Sequence, residues 1–182
     1  MKKILAFAGS NHTKSINYQL LEYVASTVDE LEVSVLDIRI WDIPMYSLDL
    51  EVRSTPEKIN ELIELIQEYD GFIIASPEHN GGTPAFLKNI IDWVSRKTKK
   101  VFDGKPVLLL STSPGGGGGA KHLTYLSRAL GYLGAVTVAS FSLPSFHSNF
   151  KDGMMTTADQ AKLLKEEVSS LKSALTKQVG IH

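Results

Sequence analysis

The 182-residue sequence contains no cysteine, which excludes disulfides, thiolate metal ligands and a thiol nucleophile. It also lacks an excess of charge of either sign, because 19 basic and 20 acidic side chains leave a formal net charge of −1. A broad basic surface for nucleic acid or acidic lipid is therefore not expected, and a small-molecule partner fits better. No run approaches the ~20 apolar residues of a membrane span. These absences predict a cytoplasmic protein with neither a nucleic-acid nor a membrane partner.

The composition is that of an ordinary globular chain, since 43% of its residues are hydrophobic. Its length predicts a single domain over residues 1–182. The apolar run that begins at Ile4 is shorter than the ~7–15 residues of a signal-peptide core, and Gly9 interrupts it. This run predicts a buried first strand instead.

Apolar runs of strand length alternate with segments of helical periodicity along the whole sequence. The apolar runs predict strands over residues 3–8, 31–38, 72–75, 107–110 and 136–141. The helical spacing predicts helices over residues 16–28, from a start at 54–57 to residue 70, and over 84–96, 121–133 and 157–178. We interpret the start at 54–57 as a hydroxyl cap with an early proline. Residues 40–54 are predicted to be irregular.

Continuous apolar strands separated by helices predict a parallel sheet that is covered by helices on both faces. Right-handed crossovers then leave only a few doubly wound α/β folds. Five strands favour the flavodoxin-like order 2-1-3-4-5 over the six-stranded dinucleotide fold, and both folds bind ligands beyond the carboxyl ends of the strands. We therefore expect a ligand site in the loops that follow the strands.

The loop after the first predicted strand runs from Gly9 to Asn17 and is rich in hydroxyl and amide side chains. It leads into a helix, whose free N–H groups and positive dipole end form an anion site. An ordinary helix cap by Thr13 or Ser15 is the alternative interpretation. Ala8 and Thr13 stand where an ATPase P-loop needs glycine, and no G-x-G-x-x-G run is present. A phosphate would thus be held without magnesium chemistry.

Two later loops also have an unusual composition. The loop at 76–84 contains Pro77 and Pro84, which fix the backbone direction, and two glycines that allow a planar ligand to approach the main chain. The loop at 111–119 ends in five consecutive glycines. That run predicts either a mobile loop or a backbone-lined wall for a flat heterocycle, and both interpretations stay open.

Together, these loops resemble those of the NADPH-dependent FMN reductase family, which includes bacterial quinone, chromate and azo-dye reductases. The first matches the family pattern G-S-x-R-x-x-S-x-N, with His12 in place of arginine. The second matches P-E-Y-N-x-x-x-P-x-x-L-K-N-x-I-D-W, with His79 in place of tyrosine. The third is similar to S-P-G-x-x-G-G, and residues 150–153 resemble a late F-x-D-G segment. The matching positions in the three loops are Gly9, Ser10, Ser15, Asn17, Pro77, Glu78, Asn80, Pro84, Leu87, Lys88, Asn89, Ile91, Asp92, Trp93, Ser113, Pro114, Gly115, Gly118 and Gly119.

The resemblance implies FMN as the cofactor, NADPH or NADH as the reductant, and a small-molecule acceptor such as free flavin or a quinone. It implies ping-pong hydride transfer without a catalytic side chain or a metal, because the flavin carries the chemistry. It also implies a homodimer or homotetramer, with the helix at 84–96 near the contact. The cofactor-binding residues that it implies are Ser10, His12, Ser15, Ile16, Asn17, Pro77, Glu78, His79, Asn80, Gly81, Ser113, Gly115 and Gly116.

Two other functions stay open at this point: a non-enzymatic flavodoxin-type electron carrier, and a flavin-binding module. The departure at His12 keeps in view the form of the second alternative in which a binding or regulatory module has lost flavin, because histidine is mostly neutral at pH 7 and supplies less fixed charge than arginine. Glu78 also has an architectural alternative, since a carboxylate before a tight turn often holds a backbone amide.

Five other residues receive structural interpretations. Asp92 and Arg96 are predicted to form an i,i+4 pair on their helix. Trp93 is predicted to pack in the core rather than stack on a cofactor. His122 is predicted to face solvent from a helix and His147 to lie in a loop, and neither has a recognisable metal partner in the sequence.

Overall fold

The computed structural model describes residues 1–177 and contains a five-stranded parallel sheet with helices on both faces. Its strands are β1 (Lys3–Ala8), β2 (Glu32–Leu36), β3 (Gly71–Ala75), β4 (Pro106–Thr112) and β5 (Val136–Leu143). Neighbouring strands pair in parallel in the order β2-β1-β3-β4-β5. The predicted doubly wound, flavodoxin-like architecture and strand order are therefore confirmed.

Seven helices accompany the sheet in the described part of the chain. They are α1 (Ile16–Thr27), α2 (Leu48–Arg53), α3 (Glu57–Gln67), α4 (Ala85–Lys97), α5 (Ala120–Gly131), α6 (Phe146–Asn149) and α7 (Ala158–Lys177). Helices α1 and α7 pack on one face of the sheet, and α3, α4 and α5 pack on the other. Strand side chains alternate between the two cores, so that Ile4 and Ala6 face α1 while Leu5 and Phe7 face α4. None of the helices within residues 1–177 combines the length and apolarity needed to cross a membrane.

The segments between the predicted elements differ from expectation in three places. Residues 40–54, predicted to be irregular, contain α2, whose N-cap Ser47 accepts a hydrogen bond from the N–H of Leu50 (3.3 Å). The hydroxyl cap predicted at 54–57 is wrong: Pro56 occupies the N-cap of α3, and no side chain of the described residues caps this helix. Beyond β5, helix α6 and a short antiparallel hairpin, β6 (Phe150–Lys151) with β7 (Met154–Met155), were not predicted. The expected end of the last helix at residue 178 lies outside the described residues.

Helix α4 fixes the segment that precedes α2. The buried amide of Asn89 accepts from the N–H of Tyr46 (2.8 Å) and donates to the carbonyl of Pro44 (3.1 Å). The indole N–H of Trp93 donates to the same carbonyl (2.8 Å), and Trp93 is buried, which confirms its predicted packing role. These three hydrogen bonds attach the loop, which has no regular structure, to α4 and satisfy the polar groups of Asn89 and Trp93.

The predicted ion pair between Asp92 and Arg96 is wrong. Asp92 pairs with Lys88 one turn earlier on α4, while the guanidinium of Arg96 reaches Glu51 of α2 at 3.0 Å. The hydroxyl of Tyr46 donates to Glu51 as well (2.6 Å), and this bond lowers the pKa of the Glu51 carboxyl. Helical spacing alone could not anticipate this, because α2 was not expected beside α4.

Gly9, directly after β1, allows α4 to approach the sheet. Its N–H donates to the carbonyl of Ala75 at the end of β3 (2.8 Å), which places its Cα against Leu87 of α4. A Cβ built on Gly9 would overlap the Cβ, Cγ and Cδ2 atoms of Leu87. The absence of a side chain at position 9 therefore sets the distance between the first loop and α4.

We predict that Gly9→Ala lowers the free energy of unfolding by about 1–3 kcal/mol, the usual effect of overpacking a core contact. The matched control is Gly131→Ala at the end of α5, where an added Cβ meets nothing within 4 Å. This control should leave stability unchanged or raise it by up to about 1 kcal/mol. Urea unfolding curves for both variants make the comparison, and equal midpoints would contradict the close approach at Gly9.

Candidate functional site

Three loops meet in one cavity at the carboxyl edge of the sheet, as expected for parallel strands. They are the loops after β1, β3 and β4, and the cavity that they surround has a volume of about 520 Å³. That volume lies within the range of ~300–1,000 Å³ that is usual for small-molecule sites. The residues that line the cavity are Ser10, His12, Lys14, Ser15, Ile16, Asn17, Pro77, Glu78, His79, Thr112, Ser113, Pro114 and His147.

Nine of the thirteen predicted site residues lie in this lining, and four do not. Asn80 and Gly81 form the tip of a turn in which the backbones of His79 and Gly82 exchange two hydrogen bonds of 3.0 Å. Gly115 and Gly116 belong to a turn whose carbonyl at 115 accepts from the N–H of Ser145 (2.9 Å). The glycine run ends at Gly119, the N-cap of α5, and none of its glycines lines the cavity.

The first loop wraps around its own polar groups before α1 begins. Ser15 is the N-cap, and its Oγ accepts from the N–H of Tyr18 (3.2 Å), as the alternative interpretation expected. The backbone N–H of His12 donates to Ser10 Oγ (3.3 Å), and that of Ser15 donates to the carbonyl of His12 (3.1 Å). The backbone N–H groups of residues 16 and 17 lie in the first turn of α1, where a helix provides no carbonyl acceptor for them. They also lie at the positive end of the α1 dipole.

The ring of His12 bends back over this loop. Its Nδ1 accepts a hydrogen bond from the N–H of Lys14 (3.2 Å), so the neutral ring carries its proton on Nε2. Lys14 itself lines the cavity and adds an ammonium group that the motif comparison did not single out. The sequence did contain a signal for Lys14, because it stands one residue before the helix cap Ser15, in the loop predicted to bind an anion.

A second cation supports the loop from the neighbouring strand. Arg39, which follows β2, donates from Nη1 to the carbonyl of Thr13 (3.0 Å), and its guanidinium lies 3.6 Å from the centre of the Tyr18 ring. It also forms a double hydrogen bond with Asp37, and this bond lowers the pKa of the Asp37 carboxyl. Sequence reasoning missed Arg39, because no motif includes it and its bond to Thr13 joins residues 26 positions apart.

Asn17 joins the first loop to the third. Its amide donates to the carbonyl of Thr112 (2.9 Å) and accepts from the N–H of Thr112 (3.0 Å), and both residues are buried. The hydroxyl of Thr112 in turn donates to the carbonyl of Leu143 at the end of β5 (2.7 Å). The side chain of Asn17 therefore shapes the cavity by holding α1 against β4, with its amide oxygen and nitrogen both engaged.

His122 was predicted to face solvent, and this prediction is wrong. It has no exposed surface, and its Nε2 lies 3.0 Å from the carbonyl oxygen of Ser76. The same oxygen accepts from the hydroxyl of Ser111 (2.8 Å). A usable signal existed in the sequence, because His122 stands four residues before Leu126 and eight before Leu130, on the buried stripe of α5.

The carboxylate of Glu78 accepts a hydrogen bond from the backbone N–H of His122 at 3.4 Å. The architectural alternative for Glu78, a carboxylate that holds a backbone amide, is thus what the structure contains. His147 lies in α6 rather than in a loop, and like His12 it lines the cavity. Among residues 1–177, no group of three His, Cys, Asp or Glu side chains is placed to hold a metal ion.

Comparison with known proteins identifies relatives over most of the chain. A family model described as NADPH-dependent FMN reductase matches residues 2–148. A quinone reductase of Escherichia coli (strain K12) is 35% identical over 120 residues, which are 63% of this chain and 64% of the relative, just under two thirds of its length. A 2-hydroxy-1,4-benzoquinone reductase of Burkholderia sp is 30% identical over 167 residues, 90% of each chain.

A solved structure also matches the fold along almost the whole chain. It is that of FerB, described as a flavoenzyme NAD(P)H:(acceptor) oxidoreductase from Paracoccus denitrificans. The TM-score is 0.78, the sequences are 28% identical, and the match covers 97% of this chain and 98% of the other. The architecture described above is therefore shared with a protein that is similar in sequence as well.

His122 generates a testable pH dependence. Burial lowers the pKa of its ring, and the bond to Ser76 and the charge of Glu78 only partly oppose this effect. The unfolded chain then takes up the proton first as the pH falls. The free energy of unfolding should be fully retained above about pH 6.5 and should decrease below it, by at most about 1.4 kcal/mol per pH unit.

Chemical denaturation of the wild type and of His122→Gln between pH 5 and 8 measures this slope. The free energy of unfolding of the glutamine variant should depend less on pH between pH 5 and 6.5, because its side chain does not titrate. The carboxyls with lowered pKa, at Asp37, Glu51 and Asp70, contribute mainly at lower pH and equally in both proteins. Parallel curves over this range would show that His122 is not buried in its neutral form.

Proposed function

The chain belongs to the NADPH-dependent FMN reductase family, and from that membership we propose that it holds FMN in the cavity at the carboxyl edge and uses NAD(P)H to reduce a quinone, free flavin or a similar small acceptor. The observation that carries this proposal is the convergence of all three motif loops on one cavity that begins at the N-terminus of α1. The quinone reductase from Escherichia coli and the benzoquinone reductase from Burkholderia support the acceptor class.

The donor set of the cavity fits the phosphate end of FMN. The first turn of α1 offers backbone N–H groups and contains no acidic residue, while Ser10 adds a hydroxyl and Lys14 an ammonium group. The dipole of α1 and the charge of Lys14 act in the same direction, so an anion is favoured at this end. We propose that Ser10, His12, Ser15, Ile16 and Asn17 surround the phosphate, with Asn17 acting through its hold on Thr112.

The remaining loops fit the ring system. Pro77, Glu78, His79 and Ser113 form the rest of the cavity, and the adjacent turns contain Asn80, Gly81, Gly115 and Gly116. When bound, FMN supplies hydride chemistry at its N5 atom, so the chain needs to provide binding and orientation rather than an acid or base. The exposed rim of the cavity, at His79 and His147, leaves room for NAD(P)H and the acceptor to bind in turn.

Steady-state kinetics test the proposed reaction. Oxidation of NADH or NADPH by the FMN-loaded protein with a quinone should give parallel double-reciprocal lines, because the two substrates occupy the same face in turn. Protein stripped of FMN should be inactive and should recover on adding FMN. Intersecting lines would contradict the ping-pong sequence, and an FMN-loaded protein that does not oxidise NAD(P)H would indicate an electron carrier. The expected single domain, cytoplasmic location and homodimer or homotetramer stay predictions.

The charge of Lys14 should be measurable in FMN binding. Lys14→Ala is expected to weaken FMN about tenfold at low salt, equivalent to ~1.4 kcal/mol, because a partner of the phosphate is lost. The effect should shrink as salt is added, since Lys14 is exposed. The converse variant His12→Arg, which restores the guanidinium usual in the family, should tighten FMN.

The matched control is Lys121→Ala. This lysine is also exposed, but it lies in the first turn of α5 and does not line the cavity. Fluorescence titration of FMN with all four proteins gives the dissociation constants. If Lys14→Ala and Lys121→Ala weaken FMN equally, Lys14 has no specific contact with the phosphate.

A further inference from the structure

We propose that His122 is the positioning residue for segment 76–79, whose residues 77–79 form one wall of the site. The proposal rests on the proposed function, because it assigns this wall to the flavin. His122 itself lies behind the wall, is fully buried and does not line the cavity. It would therefore act through the backbone that it holds rather than by touching the cofactor.

The first hold is a hydrogen bond from the ring. A carbonyl oxygen only accepts, so Nε2 of His122 is the donor to Ser76 (3.0 Å), and Ser111 Oγ is a second donor to the same oxygen (2.8 Å). Pro77 follows and has no N–H, so the strand pairing of β3 cannot continue through it. Two buried side-chain donors thus fix the last peptide before the chain leaves the sheet.

The second hold comes from the backbone of the same residue. The N–H of His122, in the first turn of α5, donates to the carboxylate of Glu78 (3.4 Å). A carboxylate at the N-terminal end of a helix is favoured by the helix dipole. His122 therefore contacts the segment at two positions, residues 76 and 78, and links it to a helix that is anchored in the core by Leu123 and Leu126.

The position of the ring proton indicates that His122 acts through its Nε2–H donor. With the proton on Nε2, Nδ1 is an acceptor, and it has no hydrogen-bond partner within residues 1–177. An unpartnered buried acceptor is destabilising, and an apolar ring of similar size would fill the same space without it. What the imidazole provides that a phenyl ring cannot is the hydrogen bond to Ser76. This distinguishes positioning from packing.

Two variants separate these roles: His122→Phe keeps a ring without a donor, and His122→Gln keeps a terminal N–H donor without a ring. Hydrogen exchange of the FMN-free protein at pH 8 reports on the peptide spanning 76–82. In this peptide, Ser76 donates to the carbonyl of Leu110 (2.9 Å), and His79 exchanges two hydrogen bonds with Gly82. The peptide from α3, 57–67, is the internal reference.

We expect His122→Phe to speed exchange in the peptide 76–82 at least tenfold and to leave 57–67 unchanged, whereas His122→Gln should stay within threefold of the wild type. FMN should bind at least fivefold more weakly to the phenylalanine variant and within twofold of normal to the glutamine variant. Ser111→Ala removes the other donor to Ser76 and should also speed exchange in the peptide 76–82 and weaken FMN binding. This variant replaces His122→Phe as the test if the phenylalanine variant does not fold.

Several results would overturn the proposal. One is equal exchange in the phenylalanine and glutamine variants, which would assign His122 to packing alone. Another is faster exchange with unchanged FMN affinity, which would show that segment 76–79 is held by His122 but does not matter for the flavin. If the wild type binds no FMN, the proposed function and the link to the flavin both fail, and exchange alone then shows whether His122 holds the segment.

Discussion

The amide of Asn17 uses both its oxygen and its nitrogen on the backbone of Thr112, and this buried pair of bonds joins the loop after β1 to the end of β4. The two strands are not neighbours, since β3 lies between them. The loop after β3 is fixed in turn from β4 and α5, because Ser111 Oγ and His122 Nε2 both donate to the carbonyl of Ser76. Buried hydrogen bonds to other elements therefore fix both the loop after β1 and the loop after β3. A buried polar group that loses its hydrogen-bond partner destabilises the folded protein, so the same contacts stabilise the site and the fold.

The electrostatics of the cavity follow from where the helices start. The N-terminus of α1 lies at the end of the cavity that Lys14 lines. Arg39, which follows β2, supports the preceding loop through its hydrogen bond to Thr13. The N-terminus of α5 is instead satisfied by the carboxylate of Glu78. Of two helix ends at the same edge, one is thus left for an external anion and the other is neutralised internally. In the proposed FMN complex, this asymmetry would place the phosphate at α1 and the flat, uncharged ring toward the other loops.

The fold and the three loops could be predicted because both depend on local patterns. Apolar runs and helical spacing gave the order of elements, and parallel pairing then brought the loops to one edge. What escaped prediction depends on contacts between segments that no motif links. Arg39 donates to the carbonyl of Thr13 across 26 positions, and His147 lines the cavity from α6, a helix that was not predicted. His122 was misplaced because histidine was treated as polar, although its spacing with Leu126 marks the buried face of α5. Burial of a polar residue is decided by its partner, here Ser76, and not by its own type.

Calorimetric titration of the FMN-free protein with FMN and with riboflavin tests most directly whether a phosphate group binds at the N-terminus of α1. The two ligands share the ring and the ribityl chain and differ only in the phosphate. Hydrogen bonds to a charged group contribute ~1.5–3 kcal/mol each, so two of them predict that FMN binds about 100-fold more tightly or better. Equal affinities for FMN and riboflavin would show that the first loop does not hold a phosphate, and the assignment of the cavity would be wrong.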